Sequence, residues 1–134
     1  MQNKIIRMNP TTVPSPVGKY SHVTIIPKEA TLYTFSGQIG INVGGIIPAD
    51  FNAQVRLTFD NIQAVLVSQD LTADQVIKVN IWSTQAIDWN YFDQVWNDFF
   101  GSSYPAMTIA YIAALGLPEI AIEIEIWAAK AVNS

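Results

Sequence analysis

The sequence predicts a single α+β domain in which a mixed β-sheet carries two helices on one face. The chain has 134 residues, a length that suits one domain with one core. Residues 120–127 alternate strictly, so their four isoleucines share one face of a strand. Two further segments repeat apolar residues at three- and four-residue spacing, which is typical of helices that bury one stripe.

The elements before the first helix are an extended arm and two strands, at residues 1–19, 23–26 and 32–39. The arm contains three prolines with serine and threonine between them, a composition that opposes regular structure. Gly37 and Gly40 indicate a bulge in the second strand, or a place where another group approaches the backbone closely.

Two helices are predicted, each with an aspartate at its N-cap. Asp50 precedes the stripe Phe51, Val55, Phe59, Ile62 and Leu66. Asp88 precedes the stripe Trp89, Phe92, Trp96 and Phe99, and Gly101 ends this helix. We expect the aromatic stripe to belong to the core. The remaining strands are predicted at residues 75–83, 106–114 and 120–129.

This order leaves one face of the sheet without helices. Only 13% of the residues are charged, about half the usual share in globular proteins. A bare sheet face on such a chain predicts burial against neighbouring copies, so we expect a closed homo-oligomer.

Composition argues against several classes of function. The net charge is −4 and the only arginines are Arg7 and Arg56, so nucleic acid is a poor candidate partner. No apolar run reaches the ~18 residues of a membrane span, and the N-terminus lacks a signal-peptide pattern. We therefore expect a cytoplasmic protein. There is no cysteine, and the sole histidine, His22, lacks catalytic partners, so no metal and no cofactor are expected.

Several short segments match one family pattern in order. They are Gly18-Lys19-Tyr20-Ser21, Ser36-Gly37-Gln38, Ala53-Gln54, Asn61-Ile62 with Val65-Leu66, Phe99-Phe100, Pro105-Ala106 and Ile122-Glu123-Ile124-Glu125. The chain resembles the RidA/YjgF (L-PSP) reactive-intermediate deaminase family from about residue 14 to residue 129. The resemblance implies a homotrimer of chorismate-mutase-like subunits whose sheets form a central barrel, with ligand clefts between subunits. It also implies hydrolysis of enamines and imines to 2-oxo acids and ammonia.

The resemblance assigns roles to individual residues. Glu123 fits the glutamate that positions the attacking water, and Tyr20 fits the tyrosine that lines the cleft. Ser36 and Gly37, which belong to one of the matching segments, can offer hydroxyl and backbone groups to a ligand, although an ordinary serine-glycine bulge explains them equally well. Without the resemblance, Glu123 and Glu125 are more often a solvated or interface pair than a catalytic pair.

Three positions depart from the family pattern. Met107 stands where the family has an arginine that clamps the substrate carboxylate, and a thioether cannot make bidentate charge-assisted hydrogen bonds. Loss of the hydrogen bonds from the arginine to the substrate carboxylate costs about 3 kcal/mol, which corresponds to about a hundredfold in binding or rate. Asp93 replaces an asparagine and adds a negative charge near the cleft, and Lys19 replaces a proline.

Three functional readings follow. Lys19 or another cation replaces the arginine, the cleft binds a neutral or cationic small molecule, or the cleft is vestigial and the trimer is a scaffold. The second is favoured: a homotrimeric small-molecule-binding protein with weak or absent imino-acid deaminase activity. The alternative is an active deaminase of 2-iminobutanoate and 2-iminopropanoate. The endoribonuclease activity in an older family name is disfavoured by the acidic composition.

Overall fold

Residues 4–132 are described by the computed structural model, which contains two β-sheets and two α-helices. The strands are β1 (Ile6–Met8), β2 (Val23–Ile25), β3 (Thr31–Thr34), β4 (Gln38–Ile39), β5 (Val76–Ser83), β6 (Ala106–Tyr111) and β7 (Ile122–Lys130). The helices are α1 (Phe51–Ser68) and α2 (Trp89–Phe100), and a 3-10 turn (Ala73–Gln75) precedes β5.

The main sheet has the order β3-β7-β5-β6, and β4 also pairs with β7. Strands β5 and β6 are parallel and are connected through α2, whereas every pair that involves β7 is antiparallel. The sheet is therefore mixed, as predicted. Strands β1 and β2 form a separate antiparallel ribbon.

Both helices begin at the predicted caps. The side chain of Asp50 accepts a hydrogen bond from the N–H of Ala53 at 2.9 Å, and that of Asp88 accepts one from the N–H of Tyr91 at 3.3 Å. Each bond satisfies an N–H that lacks a partner within its helix. Gly101 ends α2 with a φ of 73°, a conformation that favours glycine.

The core lies between the helices and one face of the sheet. The four alternating isoleucines are buried there, at Ile120, Ile122, Ile124 and Ile126. Ile122, Ile124 and Ile126 meet buried residues of α1 and α2 in one cluster, with Val79 and Ile81 from β5. The fold class, two helices on one face of a mixed sheet, is thus confirmed. The opposite face presents Lys78, Asn80, Trp82, Glu123, Glu125 and Trp127.

The N-terminal arm, predicted as an extended segment without a strand, contains one short strand. This strand, β1, pairs with β2 in register from Ile6–Ile25 to Met8–Val23. The guanidinium of Arg7 fixes this ribbon by donating to the carbonyls of Ser103, Ala73 and Val76 at 2.6, 2.8 and 2.9 Å. A strand of three residues is too short to show alternation in the sequence, which is why it was missed.

The predicted strand at residues 32–39 is divided into β3 and β4. Thr34 pairs with Trp127 and Gln38 with Ile124, so a four-residue step on one side faces a three-residue step on β7. The extra residue lies between Thr34 and Gln38, in the segment that contains Gly37, where a bulge or a close approach to the backbone was expected. The last two strands also differ slightly in their bounds from the predictions. Within residues 4–132, neither helix has the combination of length and apolarity that crossing a membrane requires.

Candidate functional site

A cavity of about 350 Å³ opens between helix α2, the edge strand β6 and the N-terminal arm. Its apolar wall is formed by Val17, Trp89, Phe92, Trp96, Met107 and Ile109. Its polar lining consists of Gly18, Lys19, Tyr20 and Asp93. Three residues that the sequence singled out for binding, Tyr20, Asp93 and Met107, therefore surround one space.

The register of β6 turns Met107 toward this cavity. Met107 pairs with Val79 on the neighbouring strand, and Val79 is buried beneath the helices. Side chains that are directly opposite on paired strands share a face, so Met107 lies on the helix side of the sheet. Because β6 is the last strand of the sheet, its outer edge leaves room for a cavity beside α2.

Helix α2 supplies the facing wall. Trp89, Phe92, Asp93 and Trp96 are spaced by three and four residues and so occupy one side of the helix. Phe92 and Trp96 are nearly fully buried, but Trp89 keeps 40% of its surface exposed. The aromatic stripe was expected to be core throughout, and at Trp89 this is wrong. Trp89 lines the cavity together with Phe92 and Trp96, and it is the most exposed of the three rings.

The arm is held in place by hydrogen bonds to backbone groups. The indole N–H of Trp96 donates to the carbonyl of Lys19 at 2.9 Å. Ser21 donates through its N–H to the carbonyl of Pro105 at 3.1 Å and through its hydroxyl to that of Tyr104 at 2.6 Å. These contacts tie the arm to α2 and to the start of β6, so the third wall of the cavity is fixed.

Tyr20 is positioned by its own neighbours. Its hydroxyl accepts a hydrogen bond from the N–H of Val17 at 3.3 Å, and its ring meets the ring of His22 edge-on at 5.7 Å. The Nε2 atom of His22 lies 2.7 Å from the carbonyl oxygen of Pro14. Both side chains thus fold the proline-rich segment back on itself. This agrees with the structural role expected for His22.

Two opposite charges line the cavity without forming an ion pair. Asp93 lies on α2 and Lys19 on the arm, and both are partly buried. Within residues 4–132, neither side chain makes a hydrogen bond or an ion pair with another residue. Both charged groups therefore keep their capacity to bind a ligand.

The other predicted site residues lie elsewhere in the subunit. Glu123 belongs to β7 and faces away from the helices, opposite Trp82 of β5. A Cβ atom added to Gly37 would lie 2.7 Å from both Cγ and Cδ of Glu123, so only glycine leaves room for this side chain. Ser36 is exposed next to it. Ser36, Gly37 and Glu123 thus form a second group, which strand β5 and the thickness of the sheet separate from the cavity.

Glu125 has a structural contact. The side-chain amide of Asn80 donates to its Oε1 atom at 3.0 Å across the bare face of the sheet. Glu123, in contrast, has no hydrogen bond to another residue in the described part of the chain. Residues 4–132 contain no cluster of three or more histidine or acidic side chains suited to a metal ion.

The family model described as endoribonuclease L-PSP matches residues 10–130. The chain belongs to this family. The resemblance to the RidA/YjgF family inferred from the short motifs is thereby confirmed, and it extends over almost all of the chain.

Relatives of this RidA/YjgF chain support the same assignment. The 2-iminobutanoate/2-iminopropanoate deaminase of Dermatophagoides farinae is 32% identical over 104 residues, which cover 76% of this chain and 79% of the relative. YyfB, a Yersinia pestis protein of unknown function from the Rid family, superposes with a TM-score of 0.83 at 25% identity. The match covers 95% of this chain and 99% of the YyfB chain. The structure of Escherichia coli TdcF with bound serine superposes with a TM-score of 0.67 at 27% identity. The match covers 93% of this chain and 99% of the TdcF chain.

Proposed function

We propose that this RidA/YjgF protein is a homotrimer that binds a small molecule in clefts between subunits and has weak or absent imino-acid deaminase activity. The observation that supports this most strongly is the position of Met107. Its side chain lines the cavity at the place where the family pattern has the carboxylate-binding arginine. A thioether offers neither a positive charge nor a donor to an anionic substrate.

Neither arginine of the chain replaces the missing clamp within a subunit. The guanidinium of Arg7 donates hydrogen bonds to three backbone carbonyls, at 2.6 to 2.9 Å, and lies over the ring of Phe100. Arg56 pairs with Asp60 on the surface of α1, 3.7 Å away. Neither residue is among those that line the cavity.

The trimer is supported by the division of the site residues into two groups. Tyr20, Asp93 and Met107 line the cavity, whereas Gly37 and Glu123 lie on the opposite face of the sheet. That face also exposes 40% of Trp127, an apolar surface suited to association. In the proposed assembly, the cavity of one subunit and Glu123 of another border the same cleft. The serine bound to the structure of TdcF supports a small molecule as the ligand.

Active imine hydrolysis is the alternative function, and one observation favours it. Glu123 has no hydrogen bond to any other described residue, so its carboxylate is available to orient a water molecule. The relative from Dermatophagoides farinae, which has the name of such a deaminase, gives further support. In this case Lys19 would have to provide the cation for the substrate carboxylate.

The deciding experiment follows the loss of freshly generated 2-aminoacrylate with wild-type protein and with Met107→Arg. We expect wild type to be inactive or slow and Met107→Arg to gain about a hundredfold, because the guanidinium restores carboxylate binding. Met8→Arg is the matched control, since Met8 is 39% exposed on β1 and is not among the residues that line the cavity.

Two outcomes would contradict the proposal. Rapid turnover by wild type that is lost in Glu123→Ala would establish the deaminase instead. Sedimentation velocity tests the assembly separately: wild type should sediment as a trimer, and Trp127→Asp should dissociate it. A wild-type monomer at micromolar concentration would refute the intersubunit cleft.

A further inference from the structure

We infer that the cavity beside α2 selects an organic ammonium ion with an apolar body, and that Asp93 is the residue that selects its charge. This inference deepens the proposed small-molecule binding and rests on it.

The wall is suited to a cation because an aromatic face and a carboxylate adjoin there. Trp89 lies one helical turn before Asp93 on α2, and both line the cavity. The indole is 40% exposed, and Phe92 packs against it with ring centroids 5.3 Å apart. An indole face attracts ammonium groups through its quadrupole, and a carboxylate supplies the opposite charge.

The lining also disfavours an anion. Met107 and Ile109, on the wall opposite α2, have no donor for a carboxylate. The indole N–H of Trp96 is already bonded to the carbonyl of Lys19. Of the residues that line the cavity, Lys19 is the single cation.

Lys19 and Asp93 differ in how firmly their charges are placed. Asp93 has a short side chain on a helix, so its carboxylate stays at the cavity wall. Lys19 carries its ammonium on a flexible four-carbon stem, and this stem can turn toward water when a cation enters. The net charge of −4 further favours the approach of a positive ligand.

Calorimetric titration with three ligands that share a phenylalkyl group tests the inference. The ligands are 2-phenylethylamine, 2-phenylethanol and 3-phenylpropanoate, which differ mainly in head-group charge. Wild type should bind the amine about tenfold more tightly than the alcohol and should bind the carboxylate weakest. Asp93→Asn should weaken amine binding about tenfold and leave alcohol binding unchanged.

Two further variants sharpen the test. Asp98→Asn removes an exposed carboxylate of the same helix outside the cavity lining, and it should leave all three affinities unchanged. Lys19→Gln should leave amine binding unchanged or tighten it, because it removes a like charge.

The results separate this inference from the function on which it rests. Equal affinity for the amine and the alcohol, preference for the carboxylate, or weaker amine binding in Lys19→Gln would overturn the cation selectivity while small-molecule binding stands. Binding of none of the three ligands by wild type would overturn the inference, whereas the proposed function is tested separately by the Met107→Arg assay and by sedimentation.

Discussion

Replacing the buried Gln54 tests how the fold positions the strand that carries Glu123. Gln54 lies on α1 and is 1% exposed. Its amide donates to the carbonyls of Pro48 and Glu119, and its Oε1 atom accepts from the N–H of Ala121, each at 2.9 Å. One side chain thus connects the start of α1, the loop before β7 and the residue two positions before Glu123.

The expected cost of Gln54→Leu follows from the groups that lose their partner. Leucine has a similar volume, so little cavity forms, but the buried N–H of Ala121 is left without an acceptor. A buried unsatisfied group costs about 1–3 kcal/mol. The two carbonyls lie closer to solvent, and water replaces their donor at lower cost. With the apolar gain of leucine as an offset, the free energy of unfolding should fall by about 2 kcal/mol.

Urea denaturation followed by tryptophan fluorescence measures this loss. Protein concentration must be held constant, because association contributes to the stability of an oligomer. The midpoint should move to lower urea with an unchanged slope. Gln63→Leu, at an exposed position of the same helix, should change stability by no more than about 0.5 kcal/mol. A loss in Gln54→Leu below that level would refute the account of its hydrogen bonds.

Three other predictions concern the second site group, the arm and the pH dependence. Gly37→Ala should displace the Glu123 carboxylate by about 1 Å and lower any Glu123-dependent turnover of Met107→Arg about a hundredfold, with little change in stability. Arg7→Met should lower the free energy of unfolding by about 2 kcal/mol and speed amide exchange in β1 and β2, because three carbonyls lose their donor. Hydrogen bonds, first from Asn52 and then from the N–H at the α2 terminus, lower the pKa of Asp88, so its stabilising effect is present above the ordinary carboxyl pKa of about 4 and is lost at lower pH. Thermal melting between pH 6 and pH 3 should show this loss in wild type and a flatter profile in Asp88→Asn.

Each of these predictions has a contrary outcome. Unchanged turnover in Gly37→Ala would mean that the Glu123 position is not needed. For the arm, Arg56→Met is the control, since its ion pair is exposed and contributes little; equal effects of the two arginine variants would contradict the role of Arg7. Identical pH profiles for wild type and Asp88→Asn would assign the acid loss to other groups.

Local patterns were sufficient to predict most of the fold. Asp50 and Asp88 were identified as caps because their side chains act within one helical turn, and the alternating isoleucines of β7 identified its buried face. The family motifs identified Tyr20 and Met107 as site positions, and both line the cavity. In each case the physical signal lies within a few residues or in the order of short segments, so it can be read along the chain.

The arrangement of the site depended on tertiary structure. The sequence did not indicate that Trp89 would line the cavity, because its spacing matches that of its buried neighbours Phe92 and Trp96. Nor did it separate Glu123 and Gly37 from the cavity, since that separation follows from strand order and from the face that each register exposes. Sequence thus determined which residue types are available, because these are local properties. Strand order and packing decided which of them share a space, because that depends on contacts between distant segments.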